Sequence, residues 1–167
     1  MCSVVRLQDL GAMNSAAQKL IVFILDNQRF ALPLPTVARV IRMVEIAPVP
    51  KAPEIVIGVI NLQGHIIPVV DIRRRFSLPE RETGISDQIV ISHTSKRPVG
   101  IVVDEVTGVI ECSAEEIVAA EKILPGMEYV EGVAKLKDGM ILIHNIDTFL
   151  SLEEERALDD AIHGSGK

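Results

Sequence analysis

Four histidines, two cysteines and two strand-ending aspartates are the residues of this chain whose side chains suit catalysis or metal binding. His65 stands beside a turn and His144 ends a strand near Asp147; His93 and His163 complete the set. A general base or metal ligand needs a partner that orients it or shifts its pKa, and the sequence places none beside them. They read as surface or satisfied-core histidines. Asp71 and Asp104 each end an apolar strand, and paired carboxylates can do acid–base work. An Asp after a strand more readily caps the next turn. Cys2 and Cys112 have no metal-ligand spacing and read as two unpaired thiols in a reducing compartment. No glycine-rich phosphate loop, nucleophile elbow or zinc spacing occurs. Arg73-Arg74-Arg75 could hold an anion, but such a run is ordinarily a solvated face. The residues therefore predict a binding module with no catalytic group, no cofactor and no metal.

Composition narrows the partners. The chain has 167 residues, 48% of them apolar and 3% aromatic, with no Trp. That is enough for one ordinary domain, or two very small ones sharing a core filled by Val, Ile and Leu. The net charge is −6, which opposes general binding to nucleic acid or anionic lipid, and few aromatics are present to stack bases. The longest apolar runs, such as Ile55–Ile60, are too short to span a bilayer. No signal-peptide pattern opens the chain, so a cytoplasmic protein with no membrane insertion is expected.

The elements that would position a binding surface are mostly strands. Residues 1–18 are polar and rich in small residues, and read as a flexible lead or marginal helix. Lys19–Leu25 and Phe30–Leu34 form a hairpin around Asp26–Arg29. Val37, Val40 and Ile41 have helix-compatible spacing, although β-branching suits a strand equally. Three prolines make Ile46–Pro53 an extended connector. Ile57–Leu62 and His65–Asp71 then fold back through Gln63-Gly64, where Gly64 supplies a positive φ. IRRRF at residues 72–76 reads as a short turn of helix, and Ser77–Asp87 as an exposed loop. Gln88–Ser92 and Pro98–Val103 form a further hairpin, with Val106, Val109 and Ile110 in the next segment. Ser113 opens a capping-box pattern, and Glu121–Glu128 is a loop containing Pro125-Gly126. Val130–Leu136 and Met140–His144 turn through Lys137-Asp138-Gly139. Ser151 can cap a last helix over Leu152–Ile162, its early acids favoured by the helix dipole.

The halves echo each other. Without gaps, Gly58–Ile72 overlays Gly132–Ile146, pairing Gly58 with Gly132, Leu62 with Leu136 and Ile67 with Ile141. A second overlay places Leu32 on Ile101, Val37 on Val106 and Val40 on Val109. Two overlays in the same order predict two similar small β-barrels of about five strands each, packed together. The expected boundaries are a lead over 1–18, a domain over 19–150 made of two interlocked barrels roughly over 19–80 and 86–150, and a helix and tail over 151–167.

The strings GVINLQGHIIPVVDIR, VGIVVDEV and GVAKLKDGMILIHNI resemble the CheW-like family of bacterial chemosensory adaptor domains, from about Leu20 to Leu150. The resemblance implies a mainly β fold of two SH3-like five-stranded barrels with short helices and a C-terminal helix. It also implies a non-enzymatic scaffold. Such a scaffold couples the cytoplasmic tip of methyl-accepting chemoreceptors to a CheA-type histidine autokinase, which carries a CheW-like domain of its own. One barrel would pair with the kinase, and a Val/Ile-lined groove between barrels would take receptor helices. Recruitment to membrane-associated receptor arrays would follow. Carried over by position, Val37, Val106 and Val109 would supply apolar contacts, though plain core packing is the competing role. Gly58 and Gly100 would permit close backbone approach, and Asn61 belongs to the same contact set. The other reading is a peptide- or ligand-binding SH3-like module outside chemotaxis.

Two positions depart from the family pattern. Gln63 stands where the N-L-R-G turn usually has Arg, and Arg39 where an acidic residue is usual. The paired change avoids a like-charge clash and points to altered partner preference.

Overall fold

The computed structural model describes residues 3–5, 17–119 and 129–165. The strands are Ser3–Val5 (β1), Gln18–Leu25 (β2), Gln28–Pro33 (β3), Val37–Arg42 (β4), Val56–Leu62 (β5) and His65–Val70 (β6). They continue as Gln88–His93 (β7), Pro98–Val103 (β8), Glu105–Cys112 (β9), Ile117–Ala119 (β10), Val130–Leu136 (β11) and Gly139–His144 (β12). Leu152–Ser165 is an α-helix (α1). The protein is mainly β, as expected, and Val37–Arg42 takes the strand option that its β-branched residues favour.

The chain forms two compact units, each drawn from separated stretches: Met1–Val37 with Asp104–Ile146 (unit 1), and Ala38–Val103 with Asp147–Lys167 (unit 2). The barrels are expected to be interlocked, roughly over 19–80 and 86–150, and the two units draw their stretches across those bounds. Unit 1 holds a sheet in the order β1-β9-β2-β3-β12-β11-β10, and unit 2 a sheet in the order β4-β7-β8-β6-β5. β3 pairs in parallel with β12 (Ile143↔Ala31), and β6 in parallel with β8 (Val69↔Gly100). Each opening hairpin thus joins the closing strand of the other half. Apolar alternation marks a strand but not its partner, so the exchange is invisible to pattern. The short connections favour it. Only Leu34–Thr36 separates β3 from β4, and Asp104 alone separates β8 from β9.

The duplication holds at the level of register. The overlay that set Gly58 on Gly132 also sets Val69 on Ile143, and the second sets Ala31 on Gly100. The two parallel ladders are therefore equivalent residue for residue. A register shift falls between Val56 and Gly58 in the β5–β6 pair, and again between Val130 and Gly132 in the β11–β12 pair. One extra residue bends a strand and strengthens its twist, so both units curl their sheets at the same place. Leu20, Ala31, Ile141 and Ile143 lie in one core, and Ile60, Val69, Ile89 and Val102 in the other.

Several local expectations change. The lead contains β1, which pairs Ser3↔Glu111 and Val4↔Ile110, while Gln18 already belongs to β2; residues 1–2 and 6–16 lie outside the described residues. Cys112 is disulfide-bonded, not a free thiol; missing ligand spacing argues against a metal and not against a disulfide, and Cys2 lies outside the described residues. The loop Glu121–Glu128 lies outside the described residues, within the stretch 120–128. IRRRF makes one hydrogen-bonded turn, with the Phe76 amide donating to Ile72 O at 3.1 Å. Of its arginines only Arg74 is exposed, so the run is not a solvated face. Arg73 is 3% exposed, and Arg75 is 2.5 Å from Glu154 of α1.

Helix α1 starts where its cap predicts. Ser151 Oγ accepts the Glu154 amide at 3.1 Å, and the Glu154 carboxylate accepts the Ser151 amide at 2.9 Å. This is the reciprocal capping box. The buried face carries Leu158 and Ala161, together with Glu155 paired to Arg97 at 3.3 Å. Ser151→Ala is expected to lower stability by about 1 kcal/mol, read as a shift in urea midpoint at unchanged slope.

Candidate interaction surfaces

Among the described residues neither the histidines nor the aspartates assemble a reaction centre. His65 and His93 are exposed on separate strands, His144 is fully buried, and the His163 side chain lies outside the described residues. Among the described residues no three His, Cys, Asp or Glu side chains form a group fit for a metal ion. Asp71 and Asp104 fall in different units and act as turn caps. Asp71 Oδ1 accepts the Arg73 amide at 3.0 Å, and Asp104 Oδ2 accepts the Asp26 amide at 2.9 Å.

What the units do offer is surface. In unit 1 a groove of about 330 Å³ runs beside β9 and the β11–β12 turn, with Val22, Ile110, Leu136 and Ile141 lining it. Its backbone wall is held by the Thr107 hydroxyl, which donates to Val22 O at 3.2 Å. Gly108 leaves the groove open, because a Cβ there would meet nothing within 4 Å. At the rim Arg29 pairs with Asp138 at 3.2 Å, both well exposed, so this pair adds orientation more than affinity. The equivalent face of unit 2 is β4 with the β5–β6 turn. There Asn61 Oδ1 accepts the Gly64 amide at 2.9 Å, and Gln63 sits at φ 53°, fixing the turn.

The expected contact residues separate into three kinds. Arg39, Asn61 and Gln63 are exposed, and Val37 and Val106 are half-buried. Gly58, Gly100 and Val109 are buried. Each glycine is demanded by its own chain: a Cβ on Gly58 would lie 2.4 Å from Ala47 O, and one on Gly100 would lie 2.9 Å from Ile89 Cγ2. β4 and β5 form opposite edges of their sheet. Among the described residues no hydrogen bond or ion pair joins Arg39 to Gln63. Sequence reasoning missed Ile66 and Met140, exposed by 54% and 68%. The signal was present, since the first overlay sets one directly on the other.

A family model for the CheW-like domain matches residues 19–154. The chain belongs to the CheW-like family. Among its relatives, the chemotaxis protein CheW of Treponema pallidum is 26% identical over 153 residues, covering 88% of this chain and 90% of the relative. CheW of Thermotoga maritima is 30% identical over 128 residues, 77% of this chain and 84% of the relative. The crystal structure of the scaffolding protein TtCheW from Thermoanaerobacter tengcongensis superposes with a TM-score of 0.76 at 31% identity, covering 83% of this chain and 95% of that one. This CheW-like chain runs on past the matched region through the rest of α1. No helix among the described residues is long and apolar enough to cross a membrane.

Proposed function

We propose that this CheW-like chain is a non-enzymatic chemosensory scaffold, one that couples the cytoplasmic tips of chemoreceptors to a CheA-type histidine kinase. The family match carries this reading, and the paired faces give it a physical form. The unit 1 groove has an apolar floor and a charged rim, which suits a partner's apolar knob surrounded by polar contacts. Val106 on β9 and Val37 at the start of β4 supply half-buried apolar area in corresponding places. Arg39, Asn61 and Gln63 supply exposed polar contacts. Reconstitution with the cognate kinase and a receptor fragment tests the reading directly. Receptor-dependent autophosphorylation is expected to rise when the chain is added. A chain that neither binds the kinase nor raises that rate overturns the proposal.

Arg39 and Gln63 set partner preference. Since the two are not bonded to each other, each would act through its own contact with a partner. Exchanging both, Arg39→Glu with Gln63→Arg, reverses one charge and adds another at exposed positions. Affinity for kinase or receptor is expected to change by about tenfold, a scale typical of interfacial charges. Unchanged affinity for both, measured by calorimetry, contradicts the assignment.

A further inference from the structure

Unit 2 contains a second concavity, away from the β4 strand and the β5–β6 turn. It is a cleft of about 650 Å³, lined on one side by Ile46, Pro48 and Ile57. The other side carries Asp71, Glu82 and two arginines. That volume is within the range of small-ligand sites. The charges are unevenly satisfied. Arg74 is bound to Glu54 O and lies 3.5 Å from Glu80, while Arg81 grips Asp87 through two bonds of 2.6 and 3.0 Å. Both guanidiniums are thus occupied by their own chain.

Asp71 differs. It is 7% exposed, and its Oδ1 accepts the Arg73 amide. No hydrogen bond reaches Oδ2 among the described residues, and the side chain lines the cleft. Oδ2 is the oxygen left open to the cleft, on a side chain otherwise withdrawn from water, so an incoming donor can reach it. Burial pushes the Asp71 carboxyl above the usual range, against the Arg73 amide and the Arg73 and Arg74 charges, which pull it down. Desolvation, helped by the Glu80 charge, outweighs two neighbouring cations.

We infer that this cleft binds an alkylammonium group, with the ammonium donating to Asp71 Oδ2 and the aliphatic chain lying on Ile46, Pro48 and Ile57. Glu82 adds a second negative charge along the cleft wall. The group is either a free alkylamine or the side chain of a partner's lysine. A carboxylate-bearing ligand is refused, because it would meet Asp71 and Glu82 while both arginines are engaged.

The test is titration of the full chain, followed by amide NMR, with 1,5-diaminopentane, with Nα-acetyl-lysine-methylamide and with glutarate. Saturable shifts confined to residues around Ile46, Ile57, Asp71 and Thr83 are expected with the amines and absent with glutarate. Binding of diaminopentane alone identifies a free amine, and binding of the lysine derivative identifies a side chain. Asp71→Asn keeps the cap acceptor and is expected to weaken binding at least tenfold. Glu82→Gln, at an exposed position, is expected to weaken it about threefold and serves should the first variant misfold. Shifts scattered over the surface, equal response to glutarate, or unaltered affinity in a folded variant overturns the inference.

Discussion

Gly58→Ala is expected to remove roughly 3 kcal/mol of stability, whereas Gly132→Ala, at the equivalent bulge, removes about 1 kcal/mol. The two glycines occupy matching places in β5 and β11, so the contrast isolates the environment. At Gly58 a Cβ would meet the Ala47 carbonyl oxygen at 2.4 Å and Ile46 Cγ2 at 2.7 Å, with φ at +158°. Ala47 cannot retreat, because its amide donates to Val59 O at 2.9 Å and its carbonyl accepts the Val59 amide at 2.8 Å. At Gly132 the nearest atoms are Val118 O at 3.1 Å and Ile117 Cγ2 at 3.3 Å, and small shifts absorb the methyl. Urea midpoints for the two variants check this, and equal losses contradict it. Partner affinity measured on the folded fraction should survive Gly58→Ala, since the close approach it permits is to its own chain.

The second large effect is an acid dependence set by His144. The ring is fully buried, 5.0 Å from the Phe30 ring, and burial pulls its pKa down to about 4, with the nearby Tyr129 backbone opposing. In the unfolded chain the same imidazole takes its proton near pH 6.5. Between those values the unfolded state binds the extra proton, so stability is full above about pH 6.5 and drains as pH falls. The loss reaches about 3 kcal/mol by pH 4 and then levels off. Glu154 adds to it, since its carboxyl lies below the usual range. Asp71 and Glu131, both raised by burial, work in the opposite sense. His144→Leu removes the histidine contribution alone. The difference in stability between the parent and His144→Leu should therefore vary with pH across 6.5 to 4 and be flat above it. A difference independent of pH contradicts the assignment.

Much of the architecture was legible because its determinants are local. The Asp26-Asn27, Gln63-Gly64 and Lys137-Asp138 turns announce themselves by residue type, and β-branched runs mark the strands between them. The Ser151 cap did the same for α1. The pairing of hairpins was not legible. Phe30, Ala31 and Leu32 are apolar in succession and buried on both faces, and such a strand fits either half. The contact surface was only partly legible for a related reason. Val106 and Val109 look alike in a string of letters, yet one is half-buried and the other has no exposed surface. Which valine faces outward depends on the sheet that covers it. The arginine run misled because charge suggests water, while Arg73 and Arg75 are drawn inward by Asp71 and Glu154.

The exchange of hairpins has a consequence at the ribosome. β2 and β3 emerge early, but the sheet that holds them needs β9 and β12, made about a hundred residues later. The five strands of unit 2 are all available once Val103 has been made. The nascent chain therefore completes its second sheet before its first. Leu20, Phe23 and Leu32, fully buried in the finished protein, wait meanwhile in a lone two-stranded hairpin, which is marginally stable in water. Pairings this distant in sequence form slowly, so this apolar hairpin is the last part of the protein to find its cover.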